Sequence, residues 1–177
     1  VYFNQLGEER RANPQDDIIT KLITEVEGDA LGPHEFETFC LVLTVAGNET
    51  TRNATSHGLL ALLENPEQMQ LLRDHPELLD SAIEEILRWA CPVIHFRRTA
   101  MRDAEIGGQA IAEGDSVVMF HISSNRDEDV FEDPFRFDIA RDPNEHIAFG
   151  GGGAHHCLGA NLARLELQIV FKELLAS

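Results

Sequence analysis

The sequence predicts a mainly α-helical protein with a minor β part, and three features of the chain lead to this prediction. Apolar residues recur at helical spacing in proline-bounded segments between Pro33 and Trp89. Short β-prone runs separated by glycine turns follow, between Val93 and Phe120. A polar coil, a glycine-rich loop and one more helical pattern complete the 177 residues.

The composition is that of a globular chain with a strongly acidic surface. The 14 basic and 31 acidic residues give a formal net charge of −17, which disfavours nucleic acid and anionic membranes as partners because their phosphates are repelled. No apolar run is long enough for a membrane span, and the N-terminus lacks a signal-peptide pattern. The three cysteines are too few and too widely spaced for a disulfide framework, so we expect a cytoplasmic protein.

The helices are predicted from their start and stop residues. Within the polar first thirty residues, we expect a loop, a short helix capped by Asp17 and a turn at 28–29. One long helix should run from Pro33 to about residue 65, where Asn-Pro ends it. Its segment 39–47 is apolar on all sides, so we expect it to cross the middle of a domain. Further helices are predicted at 66–74, at 76–89 and at about 159–175.

The β part should consist of short strands joined by tight turns. Turn residues occur at 107–108 and at 113–115. The coil from 123 to 144 is long, which is typical of a functional loop. Strands are predicted at 93–100, 104–107, 109–112 and 116–120.

The stretch from Phe149 to Gly159 carries the strongest chemical signal, because a run of glycines and Cys157 stand directly before a predicted helix. A helix N-terminus stabilises a thiolate, which is a good metal ligand, and glycines allow a flat ligand to approach closely. A glycine turn with a half-buried cysteine explains the segment equally well. A phosphate loop is disfavoured because no Gly-Lys-Ser/Thr follows, and zinc because no Cys-x-x-Cys is present.

Two weaker signals precede this stretch. Glu49 and Thr50 lie within the most apolar helix, where polar side chains are costly unless they have partners or a function. Glu85 and Arg88 are spaced to pair on one helical face. Taken singly, each signal is explained by ordinary hydrogen bonding.

In this order and spacing, the three signals resemble the C-terminal part of a bacterial cytochrome P450, and the resemblance covers 1–177 as one partial P450 domain. Residues 46–51 (Ala-Gly-Asn-Glu-Thr-Thr) resemble the oxygen-activating helix, Glu85-x-x-Arg88 the K-helix motif, and 149–159 the haem-binding loop. Phe149 stands one residue farther from the cysteine than in the family, so the glycines must absorb one extra residue. Family members are also much longer than this chain.

The resemblance implies a haem b cofactor and a role for each matching residue. Cys157 would bind the iron as a thiolate, and His155 and Arg98 would hold the haem propionates. Arg98 could instead be an ordinary surface residue of a strand. Glu49 and Thr50 would deliver protons during oxygen activation. The other residues that would contact haem or oxygen are Ala46, Gly47, Phe149, Gly150 and Gly151.

The resemblance also implies structural residues and a substrate pocket. Glu85, Arg88 and Arg136 would lock the coil behind the haem without taking part in catalysis. Cys40 and Cys91 are interpreted as small buried hydrophobes. Core packing is an equally good explanation for each candidate pocket residue. These candidates are Val42, Leu43, Val93, Ile94, His95 and Phe96.

The leading hypothesis is a haem-thiolate monooxygenase that inserts one atom of O2 into a C–H bond of an apolar lipid, sterol or terpenoid. Electrons would come from a ferredoxin and its reductase. Residues 46–53 and the cysteine loop resemble actinobacterial members that hydroxylate methyl-branched lipids and sterol side chains. The alternatives are a haem-binding fragment or carrier without oxygenase activity, which would have no use for Glu49 and Thr50, and a metal- or nucleotide-binding module. Residues 1–177 alone are expected to be inactive.

Overall fold

The computed structural model describes residues 1–24 and 31–176, so the turn expected at 28–29 lies outside the described residues. The helices are α1 (Tyr2–Ala12), α2 (Ile18–Ile23), α3 (Pro33–Glu64), α4 (Pro66–Asp74), α5 (Leu79–Ala90), α6 (His121–Ser124) and α7 (Ala160–Ala176). Short 3-10 helices occupy Pro76–Leu78 and Gly153–His155. The strands are β1 (His95–Thr99), β2 (Ala104–Ile106), β3 (Gln109–Ile111) and β4 (Ser116–Phe120). The mainly α class with minor β is confirmed, and the chain forms two compact units, 1–49 and 50–177.

The first unit contains one helix that the sequence analysis missed. α1 occupies residues that were expected to form a loop, and it packs Phe3 and Leu6 against Phe36 of α3. These two apolar residues lie three positions apart, a helical spacing that the surrounding polar residues obscured. The predicted cap of α2 is confirmed, since the Asp17 carboxylate accepts the N–H of Thr20 at 2.8 Å.

The long helix α3 has the predicted bounds, but its central segment is not buried. Leu41, Val42 and Val45 are 61%, 60% and 59% exposed, whereas Cys40 is buried. The expectation that segment 39–47 crosses the middle of a domain is therefore wrong for this chain. The reason is physical: an apolar segment is buried only where other elements cover it, and the described residues leave this one uncovered.

The core of the second unit lies between the C-terminal half of α3, α5 and α7. α7 turns Leu167 and Phe171 inward and leaves Leu162, Leu165 and Ile169 exposed. The apolar stripe of α7 that is most visible in the sequence therefore lies outside the core of this chain. The buried cluster consists of Ala54, Ala61, Leu62, Leu72, Ala82, Ile83, Ile86, Leu87, Phe137, Ile139, Leu167 and Phe171.

α3 approaches this core closely at Gly58. A Cβ atom at Gly58 would lie 2.5 Å from Ile86 Cγ2 and 2.9 Å from Phe171 Cζ. We expect Gly58→Ala to lower the free energy of unfolding by about 1–3 kcal/mol through overpacking. Gly47→Ala is the matched control, because a Cβ there meets no atom within 4 Å and alanine raises helix propensity by up to about 1 kcal/mol. Denaturant titration of both variants checks the expectation, and equal midpoints would contradict it.

The predicted strands pair as two antiparallel ribbons. β1 pairs with β4, with Arg98 opposite Val117, and β2 pairs with β3. The turn between β2 and β3 uses Gly107 and Gly108 at φ of 58° and 80°, the left-handed region that a tight hairpin needs. The coil that follows begins with the short helix α6, which the sequence analysis did not anticipate.

Candidate functional site

The cysteine loop leads directly into α7 and leaves its thiol exposed. The main-chain N–H of Cys157 donates to the carbonyl of Phe149 at 3.0 Å, and the carbonyl of Cys157 accepts the N–H of Ala160 at 3.2 Å. Cys157 is exposed, whereas the other two cysteines are buried as expected. This thiol therefore stands at the N-terminus of a 17-residue helix, where a thiolate is electrostatically favoured.

Three glycines of the loop have main-chain conformations that side chains rarely adopt. Gly150, Gly152 and Gly153 have φ of 90°, 93° and 76°, which side chains rarely tolerate. A Cβ at Gly151, Gly152 or Gly153 would meet no atom within 4 Å. The loop therefore presents bare main chain beside the thiol. Phe149 is half-buried against the core cluster.

The cysteine loop and the β1–β4 ribbon carry residues whose chemistry fits a haem. Cys157 supplies a soft anionic ligand, and the bare glycine backbone suits the flat face of a porphyrin. On the β1–β4 ribbon, Arg98 is an exposed cation. His121, directly after β4, is buried, and its Nδ1 atom has no hydrogen-bond partner among the described residues. Burial and the nearby Arg98 charge lower the pKa of His121, and the Arg98 cation suits an anionic propionate.

The Glu85–Arg88 pair is completely buried and binds the coil to α5. Arg88 Nε and Nη2 donate to the Glu85 carboxylate at 2.7 and 2.8 Å. The remaining Arg88 N–H groups donate to the carbonyls of Asn125 and Pro134 at 2.8 and 2.9 Å and to that of Arg136 at 3.1 Å. A fully buried guanidinium thus has a partner for each terminal nitrogen. The coil 125–136 is held through its main chain.

The predicted side-chain role of Arg136 is wrong. Its guanidinium is 63% exposed and approaches Asp138 at 3.8 Å, whereas the arginine of the coil that contacts Glu85 besides Arg88 is Arg141, with Nε at 3.2 Å from Oε2. Arg136 contributes its carbonyl, which accepts from both Arg88 and Arg141. The Arg141 side chain is only 9% exposed. It reaches the buried Glu85 carboxylate because the chain turns between residues 136 and 141.

Two asparagines of the coil also belong to this network, and the sequence analysis missed them. Asn125 is fully buried; its Nδ2 donates to the Arg88 carbonyl at 3.3 Å and its Oδ1 accepts the N–H of Ile147 at 2.9 Å. Asn144 Nδ2 donates to Glu85 Oε2 at 3.1 Å. Asn125 therefore connects α5 to the segment that enters the cysteine loop. No local signal in the sequence identifies such a contact, because its partners are about 20 to 37 positions away.

The candidate pocket residues after α5 lie at the start of the β1–β4 ribbon. Ile94 and Phe96 are 52% and 46% exposed, His95 is exposed, and Val93 is half-buried. The structure thus makes these side chains accessible to a ligand.

The remaining candidates lie on consecutive turns of α3. Val42, Leu43, Ala46, Gly47 and Glu49 are exposed, and Thr50 is half-buried. Ala46, Glu49 and Thr50 each take part in an interaction. Exposed apolar residues and an acid–alcohol pair therefore lie side by side on this helix.

Residues 1–24 and 31–176 contain no group of three or more histidine, cysteine, aspartate or glutamate side chains that could enclose a metal ion. None of the helices in these ranges is long and apolar enough to cross a membrane.

Comparisons with known proteins agree with this geometry. The family model "Cytochrome P450" matches residues 72–177. The chain is 51% identical over 176 residues to a methyl-branched lipid omega-hydroxylase of Mycobacterium bovis and 50% identical over 172 residues to a steroid C26-monooxygenase of Mycolicibacterium smegmatis. The two alignments include 98% and 96% of this chain but only 41% and 40% of the respective relatives.

Solved structures give the same result for the fold. A Mycobacterium marinum cytochrome P450 in complex with pseudoionone is 49% identical and superposes with a TM-score of 0.92, covering 99% of this chain and 44% of that one. A Bacillus megaterium enzyme in complex with testosterone is 42% identical, with a TM-score of 0.91 and coverage of 99% and 49%. The chain thus has the fold of slightly less than half of each neighbour.

Proposed function

Because the chain belongs to the cytochrome P450 family, we propose that it is the cysteine-ligand part of a haem-thiolate monooxygenase. The proposed reaction inserts one atom of O2 into a C–H bond of an apolar lipid, sterol or terpenoid. The observation that carries the proposal is the exposed Cys157 thiol, which stands between a bare glycine loop and the start of α7. Haem bound there supplies oxygen activation, and the thiolate ligand favours O–O cleavage.

The residues of the chain have separate tasks in this proposal. Cys157 holds the iron, and the Phe149 carbonyl fixes its main chain by accepting its N–H at 3.0 Å. His155 and Arg98 bind the propionates. Glu85 and Arg88 hold the coil in place from a fully buried position and touch no reacting atom.

The proton path is assigned to α3. We propose that the Thr50 hydroxyl and the Glu49 carboxylate pass protons to the oxygen that is being reduced, while Gly47 leaves room because it has no side chain. An acid paired with an alcohol provides both a proton reservoir and a donor that can be reoriented.

The substrate class is supported by the relatives and by the apolar surface of the chain. The relatives are named for methyl-branched lipids and steroids, and the neighbouring structures contain pseudoionone and testosterone. The candidate pocket side chains Val42, Ile94 and Phe96 are exposed and apolar. We propose a cytoplasmic enzyme that receives electrons from a ferredoxin and its reductase.

The proposal is tested by the absorption spectrum of the reduced haem protein with CO. The band that names the family reports thiolate ligation directly. We expect this band in the haem-loaded protein that carries the chain, together with hydroxylation of a methyl-branched lipid or sterol. Haem binding with the band but no product under a ferredoxin system would favour the carrier alternative, and absence of the band would contradict the proposal.

Thr50→Ala should retain haem and substrate binding but divert electrons to hydrogen peroxide, because the alcohol is placed where the proton must arrive. Removing one proton-transfer group typically slows its step by about 10²–10⁴-fold. Product and peroxide formed per NAD(P)H consumed provide the measurement. Thr55→Ala on the same helix is the control. The Thr55 hydroxyl donates to the Thr51 carbonyl of its own helix at 2.9 Å, and it has no part in the proposed proton path. Unchanged product yield in Thr50→Ala would remove Thr50 from the proton path.

Residues 1–177 alone are expected to hydroxylate nothing. The chain spans about two fifths of the length of its relatives, and the apolar residues Leu41, Val42 and Val45 of α3 are exposed. Without cover on that side of the helix, we expect weak haem retention and poor solubility.

A further inference from the structure

A second charged cluster joins α5 to the cysteine loop. It is centred on Glu84, the residue before Glu85. The Glu84 carboxylate accepts hydrogen bonds from Arg164 Nε at 2.6 Å and Nη2 at 2.8 Å. His146 Nε2 lies 3.0 Å from Glu84 Oε2. Glu84 belongs to α5, Arg164 to α7, and His146 to the segment just before Phe149. The cluster therefore ties two helices to the entrance of the cysteine loop.

Its hydrogen bonds orient each member. His146 Nδ1 accepts the N–H of Ala148 at 3.2 Å, so Nε2 carries a ring proton, which it donates to Glu84. Burial by itself would raise the pKa of Glu84, but the hydrogen bonds from Arg164 and His146 outweigh it and lower this pKa to about 2. Glu84 is consequently an anion at any pH at which the protein would be studied.

The cluster surrounds the ring of Phe149. The Arg164 guanidinium carbon lies 4.6 Å from the ring centroid, a cation–π distance, and the His146 ring centroid lies 6.2 Å away. The carbonyl of Phe149 accepts the N–H of Cys157 at 3.0 Å. A shift of Phe149 is thus passed to the main chain of the cysteine through a single hydrogen bond.

We propose that Glu84 is a positioning residue for the cysteine ligand: it holds Arg164 and His146 around Phe149 and so keeps Cys157 in its ligating position. This inference rests on the proposed haem-thiolate function. A free arginine side chain has many rotamers, whereas a bidentate carboxylate restricts the guanidinium to one plane. Loss of that restraint lets Phe149 move, so that Cys157 leaves its ligating position more easily.

The test compares Glu84→Gln and Arg164→Lys with the unaltered protein, all in the haem-loaded state. The readouts are the conversion rate, at which the thiolate band of the reduced CO complex is lost, and the reduction potential of the haem. Loss of a charge-assisted bidentate contact should accelerate the conversion about tenfold. Arg164→Lys keeps the cation but not its planar fork, so it provides a second measurement if Glu84→Gln does not retain haem.

Asp80→Asn is the matched control. Asp80 Oδ1 accepts from Gln168 Nε2 at 2.8 Å, a contact between the same two helices one turn away that does not involve Phe149. We expect Asp80→Asn to keep the conversion rate and the potential of the unaltered protein. Conversion rates in Glu84→Gln and Arg164→Lys that match the unaltered protein, or an equal acceleration in Asp80→Asn, would overturn the inference. Absence of the thiolate band from the unaltered protein would instead refute the proposed function itself.

Discussion

Cys157→Ala is expected to abolish thiolate ligation, whereas Cys40→Ala and Cys91→Ala should leave it intact. Cys157 is exposed at the start of α7, while Cys40 and Cys91 are 1% and 0% exposed. Burial raises the pKa of Cys91 to about 11, so this thiol stays protonated and is a poor ligand near neutral pH. Cys157 is thus accessible to a ligand, whereas the two other thiols are not.

The measurement is the reduced CO spectrum of each variant. In Cys157→Ala the thiolate band should be lost completely, with haem content reduced or the haem ligated differently. The two buried cysteines are internal controls, because their replacement costs only packing. A normal thiolate band in Cys157→Ala would contradict the assignment of this residue as the ligand.

Arg88→Ala should be among the most destabilising single substitutions in this chain. It would leave the buried Glu85 carboxylate without its closest cation at 2.7 Å and deprive the carbonyls of Asn125 and Pro134 of their donor. Breaking a buried ion pair by removing one partner costs about 3–5 kcal/mol, which is comparable with the whole stability of a small domain. We expect loss of cooperative unfolding and of haem.

Two arginines of the coil provide graded controls for that experiment. Arg141→Ala removes a side chain that is 9% exposed and lies 3.2 Å from Glu85, so it should cost about 1–3 kcal/mol. Arg136→Ala removes an exposed side chain with one distant ion pair and should change stability by less than about 1 kcal/mol. Denaturant titrations of the haem-loaded variants provide the comparison. A larger effect of Arg136→Ala than of Arg141→Ala would contradict the structural assignment.

The difference between these two arginines shows where inference from a sequence stops. The segment 133–137 resembles the family stretch that carries an arginine, and this made Arg136 the natural candidate. Which guanidinium enters the site depends on how the coil turns between 136 and 141. That turn is held by Arg88, whose N–H groups reach carbonyls 37 to 48 positions away, and no local pattern encodes such a contact.

The candidate haem site also has parts that the sequence indicates and parts that it does not. The sequence indicated Cys157 and the extra residue in its loop, because the glycine composition and the order of motifs are local properties. The Glu84–Arg164–His146 cluster was not identified, since its members are 62 and 80 positions apart along the chain. His121 Nδ1 has no hydrogen-bond partner among the described residues, and this can be recognised only when the burial of the side chain is known.

The sequence by itself determined the bounds of α3 and α4 and the segments that contain β1–β4, because prolines, glycines and capping residues act through the backbone of their neighbours. It did not indicate α1 or α6. Tertiary structure alone decided which faces are buried. α7 buries its Leu167 and Phe171 and leaves its Leu162 and Leu165 exposed. Leu41 and Val42 of α3 are exposed as well. The physical reason is that periodicity shows that a face is apolar, whereas burial requires another element to lie against it.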